Sequence, residues 1–68
     1  MSNELDNNLA KLRSKKKLSQ EQLAKQIGVS RKTISTVETG RFTPSVVIAL
    51  KLARYFEVPV EKIFELDE

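Results

Sequence analysis

The stretch Ser19 to Gly40, Ser-Gln-Glu-Gln-Leu-Ala-Lys-Gln-Ile-Gly-Val-Ser-Arg-Lys-Thr-Ile-Ser-Thr-Val-Glu-Thr-Gly, constrains the fold more than any other part of this chain. Ser19 is a helix N-cap, and Gln22 three residues on completes a capping box. Leu23, Ala24 and Ile27 then share one helical face. Gly28 follows where a helix end needs positive φ. Val29 spaces a tight turn, and Ser30 caps a second helix whose narrow apolar stripe is Ile34 and Val37. Gly40 stops it. The connection is too short for antiparallel packing, so the two helices must cross steeply.

That geometry is a helix-turn-helix. The outer residues of its second helix, Arg31, Lys32, Thr33, Ser35 and Thr36, all carry hydrogen-bonding groups, and none is acidic. A solvated helix usually mixes signs to gain i,i+4 pairs. This one concentrates donors at its N-terminal end, the part of a recognition helix that meets base edges in a major groove.

Composition narrows the function classes. The 68 residues predict one domain, 1–68, with a small core. Without cysteine or histidine the chain lacks disulfides, the usual metal ligands and the usual general base. No paired carboxylates sit in an apolar setting either, so neither an enzyme nor a cofactor or metal site is expected. The polar, acidic start does not read as a signal peptide, and no run reaches the roughly 20 apolar residues of a membrane span, so a cytoplasmic protein with no membrane partner is expected. The net charge of +3 is unevenly placed. Residues 1–41 hold nine basic against four acidic side chains, and residues 42–68 hold three against five. The positive half carries the helix-turn-helix, as a polyanion docking on one side requires.

The remaining segments have coarser readings. Residues 1–7 form a flexible arm or add a short strand. A first helix covers about Asn8 to Lys16 with Leu9 and Leu12 inward. Lys15, Lys16 and Lys17 at its end either complement the helix dipole or contact phosphate. Leu18 staples onto the next helix, and Phe42 packs under the loop. Pro44-Ser45 opens a fourth helix reaching about Phe56, with Val46, Ala49, Leu50, Ala53 and Phe56 as its inner stripe. Val47, Ile48, Leu52 or Tyr55 are then left over, so this helix either packs on both sides within the monomer or buries its second side against another copy. A short fifth helix, about Val60 to Phe64, closes the core. Residues 65–68 read as a solvated acidic tail.

Leu-Ser-Gln-Glu-Gln-Leu-Ala, Ile-Gly-Val-Ser-Arg-Lys-Thr-Ile-Ser, Val-Glu-Thr-Gly-Arg and Pro-Ser…Ala-Leu-Lys-Leu-Ala resemble, in register from about Leu9 to Phe64, the Xre family, the lambda-repressor/Cro-like helix-turn-helix group of bacteria and phages. The resemblance implies an all-α, compact five-helix DNA-binding domain. It implies a transcriptional regulator, a repressor, binding double-stranded DNA at a palindromic operator as a homodimer. By position, Gln20 corresponds to a phosphate clamp, and Arg31, Lys32 and Thr36 to base readers flanked by Thr33 and Ser35. Ser30 and Arg41 correspond to backbone contacts, and Lys16 and Lys17 extend the basic surface. Arg13 and Glu38 match an internal ion pair. Lys17 stands where the family often has Gly, which puts a strained turn there. The alternative is an antitoxin or a coactivator-type bridge using the same fold to hold another protein.

Overall fold

Three serines start three helices. Ser19, Ser30 and Ser45 each hold extended backbone, and each Oγ accepts from the backbone N–H three residues on, at 3.0, 3.1 and 3.1 Å. At Ser19 the Gln22 side chain returns the bond, accepting from the Ser19 N–H at 2.8 Å. The computed structural model describes residues 5–40 and 44–66. It contains β1 (Leu5–Asn7), α1 (Leu9–Lys15), α2 (Gln20–Ile27), α3 (Arg31–Glu38), α4 (Val46–Phe56), a 3-10 turn (Val60–Lys62) and β2 (Phe64–Leu66). The expectations for Arg41 and Phe42 fall outside the described residues.

Three helix ends are alike in backbone and different in sequence. Lys17, Gly28 and Glu57 take left-handed φ values of 58°, 77° and 58°. After each, an apolar residue donates its N–H five residues back: Leu18 to Arg13, Val29 to Ala24, and Val58 to Ala53, at 3.1, 3.0 and 3.0 Å. This Schellman arrangement satisfies carbonyls that the helix leaves over. The same three apolar residues pack against the core.

The core is assembled from every helix and the C-terminal segment. Leu9, Leu23, Ile34, Leu52 and Ile63 are fully buried, with Ala24, Ile27, Val37, Ala53, Phe56 and Phe64 around them. Burying each large side chain contributes about 1.5–3 kcal/mol, which is substantial for a domain of this length.

Several expectations are corrected. The fold carries four α-helices among the described residues, not five, and is not purely helical. The segment expected as a fifth helix is one 3-10 turn, and Phe64 already begins a strand. No side chain caps the segment at Pro59, and Val60 and Ile63 are stiff β-branched residues, so a longer helix has little local support. Residues 5–7, read as arm or strand, form the strand, paired antiparallel with Asn7 opposite Phe64 and Leu5 opposite Leu66. Glu65 and Leu66 therefore lie in a sheet, with both side chains exposed. On α4 the inward residues are Leu52, Ala53 and Phe56, while Val46 and Leu50, expected inside, are 74% and 56% exposed. The buried side is the one opposite Lys51 and Arg54, the two exposed polar residues of an otherwise apolar helix.

Candidate nucleic-acid interface

α2 and α3 are locked by their apolar stripes. Leu23, Ala24 and Ile27 face Ile34 and Val37, and all five are buried. Gly28 makes the turn, and a Cβ there would meet nothing within 4 Å, so its requirement is the positive φ and not space.

At about 100° per residue, Ile34 and Val37 define the inner side of α3. Lys32, Ser35 and Thr36 then occupy the opposite side, and Arg31 and Thr33 lie on its two flanks. Arg31 and Lys32 are exposed. The one ion pair among the described residues is Arg13–Glu38, so neither cation is neutralised there. The hydroxyls of Ser30, Thr33 and Thr36 are used locally. Ser30 and Thr33 share a side-chain hydrogen bond of 2.9 Å, which stiffens the start of α3. Thr36 donates to the Thr33 carbonyl at 2.9 Å.

The C-terminal end of α3 is clasped. Glu38, its side chain only 7% exposed, accepts from Arg13 Nε at 2.6 Å and from the Arg13 guanidinium again at 3.2 Å. Arg13 also donates to the Leu18 carbonyl at 2.7 Å. The hydrogen bond that Arg13 donates to Glu38, opposed by burial and aided by the Glu38 charge, raises the Arg13 pKa above its ordinary value. Gln20 turns its amide inward, donating to Glu38 Oε1 at 3.0 Å. Its part in this clasp was not visible from sequence.

The lysines at the end of α1 divide. Lys17 occupies the strained helix end. Lys16 places Nζ 5.7 Å from the centre of the Tyr55 ring on α4, a cation–π contact. A third feature had no signal in the sequence. Asn7 of β1 donates to the Val37 carbonyl of α3 at 3.0 Å.

Known proteins are similar to this chain in sequence and in fold. The model of a helix-turn-helix family matches residues 9–63. Sixty residues, 88% of this chain and 91% of the other, are 45% identical to an uncharacterized HTH-type transcriptional regulator of Methanocaldococcus jannaschii. The HTH-type regulator YgzD of Bacillus subtilis is 36% identical over 64 residues, 94% of this chain and 97% of its own. The crystal structure of the restriction-modification controller protein C.AhdI from Aeromonas hydrophila superposes with a TM-score of 0.73 at 39% identity, over 79% of this chain and 82% of that one.

Proposed function

This chain belongs to the Xre-like helix-turn-helix family, whose matched members are HTH-type transcriptional regulators, and from that premise we propose that it is a sequence-specific repressor that binds a palindromic operator as a homodimer in the cytoplasm. The observation that carries this reading is the outer side of α3, with two exposed, unneutralised cations at its N-terminal end and no acid among its outward residues. Arg31 and Lys32 donate to guanine O6 and N7, and the Thr36 methyl meets thymine. Ser35 and Thr33 flank them. Ser30 and Arg41 contact the backbone. Gln20 holds Glu38 with one N–H of its amide and offers the other to a phosphate. Lys16 and Lys17 supply further phosphate charge.

The homodimer reading is supported by α4. Val46, Val47 and Leu50 are 74%, 60% and 56% exposed on one short helix, an apolar surface that a monomer gains nothing by leaving in water. Two copies place their α3 helices about 34 Å apart, one turn of DNA, on a two-fold site.

Selection of bound sequences from random duplex DNA, at near-physiological salt, tests the reading. Enrichment of a two-fold symmetric site is expected. Retention without enrichment would mean that the basic surface holds phosphates only, and co-purification of a second protein would then favour the bridging alternative.

A further inference from the structure

We propose that Asn7 is a positioning residue for the reading helix, a side-chain clip that sets the tilt of α3 from the N-terminal strand. The inference rests on the DNA-reading function proposed above. One amide makes both bonds. Its Nδ2 donates to the Val37 carbonyl in the last turn of α3, and its Oδ1 accepts from the Leu9 N–H at the start of α1, at 3.0 and 3.1 Å. Each partner belongs to a helix end, where backbone groups lack intrahelical partners or share them. The clip is held from behind. Asn7 pairs with Phe64 in the ribbon, and neighbouring Asn8 bonds the Ile63 and Lys62 carbonyls through its backbone and side chain, at 2.7 and 3.1 Å.

Adjacent residues of α3 are thus gripped by different elements. Val37 is held by its carbonyl to β1, and Glu38 by its carboxylate to α1 and the start of α2. α3 has eight residues, about 12 Å of rigid rod. Two grips at one end fix the direction of the other, where Arg31 and Lys32 sit. Base-edge hydrogen bonds weaken steeply with misalignment, so a change of tilt reduces discrimination between sequences more than it reduces attraction to phosphate.

Asn7→Asp is nearly isosteric and keeps the acceptor for Leu9, but replaces the donor to Val37 with an oxygen. Asn7→Ala removes both bonds without adding charge. Asn8→Ala is the control, since it loosens the same ribbon with no bond to α3. The full chain is assayed for the ratio of its affinities for the selected site and for a random duplex of equal length. Both Asn7 variants are expected to lower that ratio about five- to tenfold, the scale of one lost hydrogen bond. Asn8→Ala should leave it within about twofold even where its melting temperature falls as far. An unchanged ratio in the Asn7 variants, or a fall in all three that tracks stability, overturns the proposal. Amide hydrogen exchange at Thr39 and Gly40 gives a readout without DNA. Faster exchange in the Asn7 variants alone supports the clip even if the wild type fails to discriminate, in which case the DNA-reading proposal fails by itself. Equal exchange in all three variants overturns the clip.

Discussion

α3 and α4 are packed on the same core and differ in what they leave outside. α3 buries Ile34 and Val37 and turns Arg31 and Lys32 outward; α4 buries Leu52, Ala53 and Phe56 and turns Val46, Val47 and Leu50 outward. The inner faces are interchangeable in kind, and neither says what its helix is for. The outer faces do. Cations with adjacent hydroxyls suit a hydrated, charged, hydrogen-bonding surface, whereas three exposed aliphatic side chains suit one that excludes water. The division of labour implies that each face can be disabled without the other.

The largest effect is expected on α4. Replacing Val47 and Leu50 together by Glu puts two charges into the proposed dimer contact, and the dissociation constant of the dimer should rise by about 100-fold or more. Sedimentation would read the loss. The unfolding midpoint of the monomer should hardly move, because both side chains already face water. A dimer that survives would place the contact elsewhere and leave α4 without a function distinct from that of α3.

Next in size is the clasp. Glu38→Ala leaves the half-buried Arg13 guanidinium without its carboxylate, and destabilisation of about 2–3 kcal/mol is expected in chemical denaturation, below the range for fully buried pairs because Arg13 is partly exposed. The pH sign follows from Arg13, whose pKa is raised in the folded state. Its stabilisation is complete below the unfolded pKa and is lost only as pH climbs through the still higher folded value. The wild-type clasp should therefore add no pH dependence from Arg13 near neutrality.

On α3, Arg31→Ala should cost about 1–3 kcal/mol on the selected site and much less on random DNA, with dimerisation unchanged. Equal losses on both DNAs would demote Arg31 to a phosphate contact and weaken the contrast between the faces. Lys16→Ala separates the same alternatives for α1. A phosphate contact should flatten the dependence of log affinity on log salt by about one unit; an unchanged slope would assign Lys16 to the Tyr55 ring alone.

What could be read in the sequence was local. The caps at Ser19, Ser30 and Ser45, the turn at Gly28 and the buried stripe of α3 all depend on residues within a few positions of one another. The Arg13–Glu38 pair and the strain at Lys17 come through resemblance, not through any local rule. Other features escaped, each for a physical reason. Pairing of Leu5–Asn7 with Phe64–Leu66 joins opposite ends of the chain, and no period in either segment records it. The face of α4 escapes a reading of its apolar residues alone, because only Lys51 and Arg54 mark the side opposite Leu52, Ala53 and Phe56. In the candidate site, Arg31 and Lys32 were visible as outward cations, but the inward turn of Gln20 and the clip at Asn7 depend on where other elements bring Glu38 and the Val37 carbonyl.

The smallest predicted effect sharpens the contrast between the faces by changing stability without touching α4. Lys17, Gly28 and Glu57 perform the same Schellman turn, yet only one is glycine. A side chain in the left-handed region costs about 1–2 kcal/mol, and glycine gives back about 0.4–1 kcal/mol through the freer unfolded chain. Lys17→Gly should therefore stabilise the fold by about 0.5–1 kcal/mol, measured by urea unfolding, and Glu57→Gly should do much the same. Their consequences for DNA should diverge. Lys17→Gly also removes a positive charge from the basic half and should weaken binding to every duplex, while Glu57→Gly removes a negative charge and should not. Dimerisation should be untouched in both if it rests on Val46, Val47 and Leu50. Stabilisation accompanied by equal DNA affinity in the two variants would mean that Lys17 serves only the turn and that the basic surface ends short of it.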